Sequence, residues 1–98
     1  MKRALRISTA AHRDLEQGDA FYEALHLGLG ARFLMQLKSD IQSLQEFAGI
    51  HPKIHGHSRM LAQRFPYAIY YRLTPTNIDV LRVLDCRQNP ERIRSIFP

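Results

Sequence analysis

Three histidines, His51, His55 and His57, stand within seven residues of one another in a stretch broken by Gly49, Pro52 and Gly56. Neutral imidazoles grouped in this way can ligate a metal, or can pass protons near neutral pH. As zinc ligands they would need a fourth group such as Cys86, the only cysteine. Their spacing fits no standard zinc pattern, so no metal is expected. As general acid or base, each would need a partner that sequence proximity alone does not supply. Cys86 lies between Asp85 and Arg87, and a neighbouring guanidinium favours the reactive thiolate. Without a defined Cys–His pair, a buried and inert thiol is the simpler expectation. No Gly-rich phosphate loop and no carboxylate pair suited to hydrolysis is present, and no cofactor is expected.

A larger group of residues is basic and aromatic: Arg59, Arg64, Tyr67, Tyr70, Tyr71, Arg72, Arg82, Arg87, Arg92 and Arg94. Guanidinium forks match phosphate and carboxylate, and tyrosine rings stack on bases or on arginine planes. The net charge of +5 arises entirely in the second half of the chain. Residues 1–49 hold six basic and six acidic side chains, whereas residues 50–98 hold eight basic ones and only Asp79, Asp85 and Glu91. This asymmetry suits an acidic partner, and it equally suits ordinary solubility charge on strands. Strand alternation puts Tyr67 and Tyr71 on one face, as core aromatics, and Tyr70 with Arg72 on the other, where the role of Tyr70 stays open.

The elements that must position these groups fit one domain over residues 1–98. A hydrophobic content of 45% is that of a globular chain, and no apolar run approaches the ~20 residues of a membrane span. Lys2 and Arg3 are followed by no apolar leader segment, and one cysteine allows no internal disulfide, so a cytoplasmic location and no membrane contact are expected.

Lys2–Ser8 alternates as a strand, and Ser8 or Thr9 can cap the helix that follows. Ala11, Leu15, Gly18, Tyr22 and Leu25 form one helical face, ended by Gly28-Leu29-Gly30. A second helix is expected over 31–47 with a seam of Leu34, Leu37, Ile41, Leu44 and Ala48. So short a connection makes the two an antiparallel hairpin. A loop over 48–57 then leads to strands over 59–65, 67–73 and 78–84, the last apolar on both faces. Pro90 opens a short final helix over 91–96. The predicted fold is α+β in two layers: an N-terminal strand and a helical hairpin packed on a mainly antiparallel sheet, in the order β-α-α-β-β-β with a short C-terminal helix.

Phe21-Tyr22-Glu23, Gly28-Leu29-Gly30, Arg32-Phe33 and Leu37 to Ile41 together resemble the helical hairpin of the ParE/RelE toxin superfamily. Arg64-Phe65-Pro66-Tyr67-Ala68-Ile69-Tyr70-Tyr71 resembles its second-to-third strand hairpin, and Ile78 to Leu84 with Arg87-Gln88-Asn89-Pro90 its last strand and tail. The resemblance covers nearly the whole chain in the family's order. It implies a toxin of a type II toxin–antitoxin module, the kind that arrests growth and stabilises plasmids, neutralised by an acidic, partly disordered antitoxin. Direct DNA binding is not expected, since operator contact in such modules belongs to the antitoxin.

The branch is read from single positions. RelE-like members cleave messenger RNA on the ribosome with basic residues and a tail tyrosine or histidine. Arg87 matches a basic tail position here, but Ile93 replaces the tail tyrosine, and Gln63, beside Arg64, replaces a strand arginine. An isoleucine cannot transfer a proton. A nuclease would have to draw on Arg87, Arg64, His55 and His57. ParE-like members poison DNA gyrase by contact, and the resemblance is closer to that branch. It makes Arg64, Arg82, Arg87, Arg92 and Arg94 the expected target contacts. An amphipathic antitoxin helix laid on the hairpin would meet Leu15, Tyr22, Phe33, Tyr70 and Arg72, and a further antitoxin segment would add a strand to the sheet edge.

Overall fold

The computed structural model describes residues 2–97. Strand β1 (Ala4–Ile7) leads into helix α1 (Thr9–Leu25), whose cap is Ser8, with a side-chain oxygen that accepts from the Ala11 amide at 3.0 Å. Helix α2 (Leu29–Gln42) runs back along α1 to complete the hairpin. The tight connection has a chemical cause. The Glu23 carboxylate accepts from the amides of Gly28 and Gly30 at 3.0–3.1 Å, and these bonds hold its pKa below the usual carboxylate value. Gly28 itself adopts φ +88°, a left-handed conformation that disfavours any residue with a Cβ.

The predicted second helix is interrupted at Ser43. Its hydroxyl donates to the Asp40 carbonyl at 2.6 Å and closes the helix locally, leaving Leu44–Phe47 as a separate turn, α3. The expected loop also contains a strand. β2 (Lys53–Ile54) pairs with β3 (His57–Leu61) through a two-residue turn, in which His55 and Gly56 both have positive φ, as a tight hairpin requires. Strand β4 (Tyr67–Leu73) and strand β5 (Asn77–Asp85) follow, then helix α4 (Pro90–Ile96), capped by Asn89, whose side chain accepts from the Glu91 amide at 2.9 Å. The sheet order is β1-β5-β4-β3-β2, with β1 parallel to β5 and every other pair antiparallel.

The hairpin covers one face of the sheet. Leu15, Tyr22, Phe33, Leu37, Ile41 and Leu44 meet Ile69, Tyr71, Ile78, Val80 and Val83 there in one buried cluster. Phe33 stands at the junction, with Tyr22, Phe65 and Tyr67 at ring-centroid distances of 5.1, 5.2 and 4.9 Å. Aromatic contacts of this kind add about 0.5–1.5 kcal/mol each beyond area burial. Gly18 makes the close approach possible, because a Cβ at that position would collide with the Phe33 ring. Helix α4 covers part of the other face, where Ile93, Ile96 and Phe97 pack on Ala68, Tyr70 and Leu84. The open role of Tyr70 is thereby assigned: it is the aromatic floor beneath the C-terminal helix.

Strand β5 is irregular in a way that matters for the site. Tyr70 lies opposite Arg82 and Tyr71 opposite Val80, so Leu81 is an extra residue, a β-bulge. Ile78 and Val80 face the hairpin before the bulge and Val83 after it. Strict alternation from Ile78 would have aimed Arg82 into that core. The bulge turns it out.

Candidate functional site

β1 pairs only with Asn77–Val80, so β5 outruns it by five residues on its outer side. A cleft of about 270 Å³ opens along that uncovered length, between α1 and α4. Gln17, Gly18 and Phe21 line one wall, Arg92 and Ile96 the other, and Tyr67, Arg82 and Asp85 the floor. Arg82 is clamped there by Asp14, whose two carboxylate oxygens accept from Nε and Nη2 at 2.8 Å each. The same carboxylate accepts from the Val83 amide at 2.9 Å, replacing the bond that a neighbouring strand would make. Donation to the Asp14 carboxylate raises the Arg82 pKa further.

At the mouth of the cleft Arg87 donates to Asp85 at 2.8 Å and to the Tyr22 hydroxyl at 3.3 Å, and its guanidinium lies 5.9 Å from the Phe21 ring centroid. The Arg87 bond holds the Asp85 carboxyl below its usual pKa and pushes the guanidinium up. Burial pushes Tyr67 up to about 12, so that phenol keeps its proton at neutral pH and is no base. The cleft is therefore a surface of held charges and a half-exposed aromatic ring, suited to contact.

Three of the five expected target contacts, Arg82, Arg87 and Arg92, gather at this cleft. Arg64 stands elsewhere, in a depression with Leu29, Arg32, Met35 and Phe65. Arg94 is exposed on α4, 4.0 Å from Glu91. The residues that a nuclease would draw on are divided among three neighbourhoods. Arg87 is at the α1–α4 cleft and Arg64 beside α2. His55 and His57 flank Phe97, at ring-centroid distances of 6.0 and 5.1 Å. His51 points to the opposite face of the sheet, where Nδ1 lies 2.6 Å from the Tyr71 hydroxyl and burial lowers its pKa. Among the described residues no group of three or more His, Cys, Asp or Glu is placed to hold a metal ion. Cys86 is exposed rather than buried as expected, although partial desolvation raises its thiol pKa.

The residues expected to meet an antitoxin helix need correction. Leu15, Tyr22, Phe33 and Tyr70 are each less than 7% exposed. Their side chains hold the hairpin and α4 to the sheet, so no partner helix can rest on them. Arg72 alone of that group is exposed, and it is tied to Asp79 at 3.3 Å. Helical spacing identified most of the buried face, but Leu25, expected on it, is 63% exposed, and spacing could not show which apolar residues remain outside. Those are Phe21, Leu25, Leu27, Met35, Phe47, Ile50 and Leu61. Phe47, Ile50 and Leu61 line a groove of about 440 Å³ beside β3. Beyond His57 and Ser58, which pair with β2, no strand among the described residues flanks the outer side of β3.

No helix among the described residues is long and apolar enough to cross a membrane. No family model matches the chain, and no curated protein matches it. Among solved structures, a chain described as "Chromosomal ParDE TA system from P. aeruginosa" superposes with a TM-score of 0.74. The two are 20% identical, and the match covers 84% of this chain and 94% of that one. At that identity the likeness is one of fold, and the fold is the one that the ParE/RelE resemblance implies.

Proposed function

We propose that this chain is the toxin of a type II toxin–antitoxin pair, acting in the ParE manner: it inhibits DNA gyrase by contact and is held inactive by a cognate antitoxin. The observation that carries the reading is the superposition on a chain of a ParDE system across 84% of the sequence. The character of the α1–α4 cleft supports contact over catalysis, since Arg82 and Arg87 are each occupied by a carboxylate. In this reading Arg92 and the Phe21–Arg87 pair present the target surface, with Arg64 and Arg94 at separate points around it.

The antitoxin's place is the groove beside β3. A segment in extended conformation gains main-chain hydrogen bonds along an open strand edge, and its alternate side chains fill the adjoining pocket. Phe47, Ile50 and Leu61 supply the apolar wall.

The test is pulse-labelling after induced expression in a bacterial host, with thymidine and methionine incorporation followed together. An early fall in DNA synthesis with translation intact is expected, and purified protein should inhibit gyrase supercoiling. An early fall in translation instead would replace this reading with a ribosome-dependent endoribonuclease of the RelE type. No growth defect would leave the chain a binding partner of its antitoxin without toxicity.

A further inference from the structure

The depression that holds Arg64 has a volume of about 340 Å³, and it lies in line with the groove beside β3. Leu29, Arg32 and Gln36 line the depression, and Asp40, Ser43 and Phe47 line the groove. These six residues follow one another at steps of three, four, four, three and four. They form a single stripe along α2 that runs on into α3. The facing wall is equally continuous, with Leu61 and Gln63 in the groove and Arg64 and Phe65 in the depression. The two meet at Asp40, which accepts from the Gln63 amide at 3.2 Å and from the Gln36 side chain at 3.5 Å. We propose that groove and depression are one trough for a single partner segment, and that an acidic stretch of the antitoxin docks at its Arg32–Arg64 end. The inference rests on the placement of the antitoxin beside β3, and it states what the rest of that segment must carry.

The two ends of the trough differ in chemistry. Phe47, Ile50 and Leu61 make the β3 end apolar. At the other end Arg32 and Arg64 are exposed, and no acid lines the depression. Among the described residues neither arginine is in an ion pair, whereas Arg82 and Arg87 are each held by a carboxylate of the same chain. The Glu23 carboxylate, at the α1–α2 turn, is already taken up by the amides of Gly28 and Gly30. Leu29, Met35 and Phe65 line the depression with the two arginines, and Met35 is 72% exposed.

Charge complementarity therefore asks for carboxylates on either side of an apolar side chain. The helix fixes where they must fall. Arg32 lies eight residues before Asp40, about 12 Å along the axis of α2. An extended segment covers that length in about four residues, so the acids belong about four residues beyond the point opposite Asp40. Arg64 is also one of the proposed target contacts. A segment seated at this end denies it to the target, which gives neutralisation a physical route.

The experiment is a titration of the 15N-labelled full chain with blocked synthetic peptides, followed by amide shifts. Each peptide carries a short strand of alternating valine and threonine, joined at either end, in separate versions, to a leucine with two glutamates on each side. A control set has glutamine in place of glutamate. One acidic version is expected to bind about tenfold more tightly than its control, with saturable shifts around Leu61 and Gln63 and also around Arg32 and Arg64. Arg32→Gln and Arg64→Gln should each weaken that binding about three- to fivefold, as the loss of an exposed ion pair does, while Arg13→Gln on α1 leaves it unchanged. Both arginines are exposed, so these variants keep the fold. Shifts confined to the β3 edge, or equal binding of acidic and control peptides, overturn this inference and leave the β3 placement standing. Absence of shifts around Leu61 with every peptide overturns both. Neither result bears on the gyrase reading, which the labelling experiment decides.

Discussion

Asp14→Ala should be among the most damaging single changes in this protein. The side chain is 6% exposed and accepts three hydrogen bonds, two from Arg82 and one from the Val83 amide. Removing one partner of a buried ion pair costs about 3–5 kcal/mol, chiefly because the other charge is stranded. Arg82 is 28% exposed and can turn partly to water, which moves the expectation to the low end of that range. The orphaned Val83 amide adds about 1 kcal/mol, so a total near 3–4 kcal/mol is expected. At about 4–8 °C per kcal/mol for a chain of this size, the melting temperature should fall by at least ~12 °C. The assay is urea unfolding followed by circular dichroism, with an unchanged m-value confirming that the folded state is comparable. The double variant Asp14→Ala/Arg82→Ala removes the stranded charge and should lose at least ~1 kcal/mol less than the two singles added together. A loss below ~1 kcal/mol for the single change, or strict additivity in the double, would refute the reasoning.

Three other perturbations follow from the same structure. Gly18→Ala sets a helix-propensity gain of about 1 kcal/mol against a clash with the Phe33 ring, with the Tyr67 hydroxyl close by; overpacking costs about 1–3 kcal/mol, so net destabilisation in urea is expected and a stabilised variant would contradict it. Burial lowers the His51 pKa in the folded state below 6.5, so its share of stability is full above pH 6.5 and is lost as pH falls through the folded value; in His51→Gln the fall in melting temperature from pH 7.5 to 5.5 should be smaller than in the parent, and an equal fall would exclude His51 as a source. Phe97→Ala removes the ring that lies 4.6 Å from Tyr70, and since the other contacts of α4 with the sheet are apolar, its amides should exchange at least about tenfold faster while the β4–β5 amides keep their protection; uniform loss across the sheet would show that α4 is no separate unit.

How far the sequence reveals this structure depends on which interactions are local. The face of α1 was legible because Ala11, Leu15, Gly18 and Tyr22 repeat with the helical period and all four are buried; Leu25, the fifth residue of that repeat, lies at the last turn and is exposed. Strand β4 was legible to the residue, since Phe65-Pro66 and Pro75 bracket a run of β-forming side chains. β2 was missed because two residues carry no periodicity, although His55-Gly56 supplies the positive-φ pair of a tight turn. The bulge at Leu81 was missed for a different reason. A single extra residue alters no composition and only shifts the phase of an apolar run, so Arg82 kept an ambiguous direction until the register with β4 was known. The pairing of Asp14 with Arg82 spans 68 residues, and no local pattern encodes it. The exposed apolar residues were hidden among core leucines for the same reason, because exposure is a property of the assembled molecule.

The two edges of the sheet are treated differently, and that difference bears on the proposed placement of an antitoxin segment. Both edge strands are shorter than their neighbours: β1 has four residues beside the nine of β5, and β2 has two beside the five of β3. An unpaired edge is a template for another chain, and proteins that must stay alone block it. Along β5 the block is built from side chains, with the Ser8 hydroxyl donating to the Leu81 carbonyl at 2.8 Å and Asp14 accepting from the Val83 amide. Along β3 the Arg59 amide donates to the Pro52 carbonyl and the Gln63 amide to Asp40, but Leu61 between them is 57% exposed, with Phe47 and Ile50 beside it in the groove. Between those two bonds the β3 edge at Leu61 stays uncovered, and the apolar wall adds a reason for a partner segment to bind there. An edge plugged by ionic and hydroxyl groups on one side of the sheet, and only partly covered beside an apolar groove on the other, is the ground for proposing strand addition at β3 rather than at β5. The α1–α4 cleft, with its arginines, lies at the opposite edge.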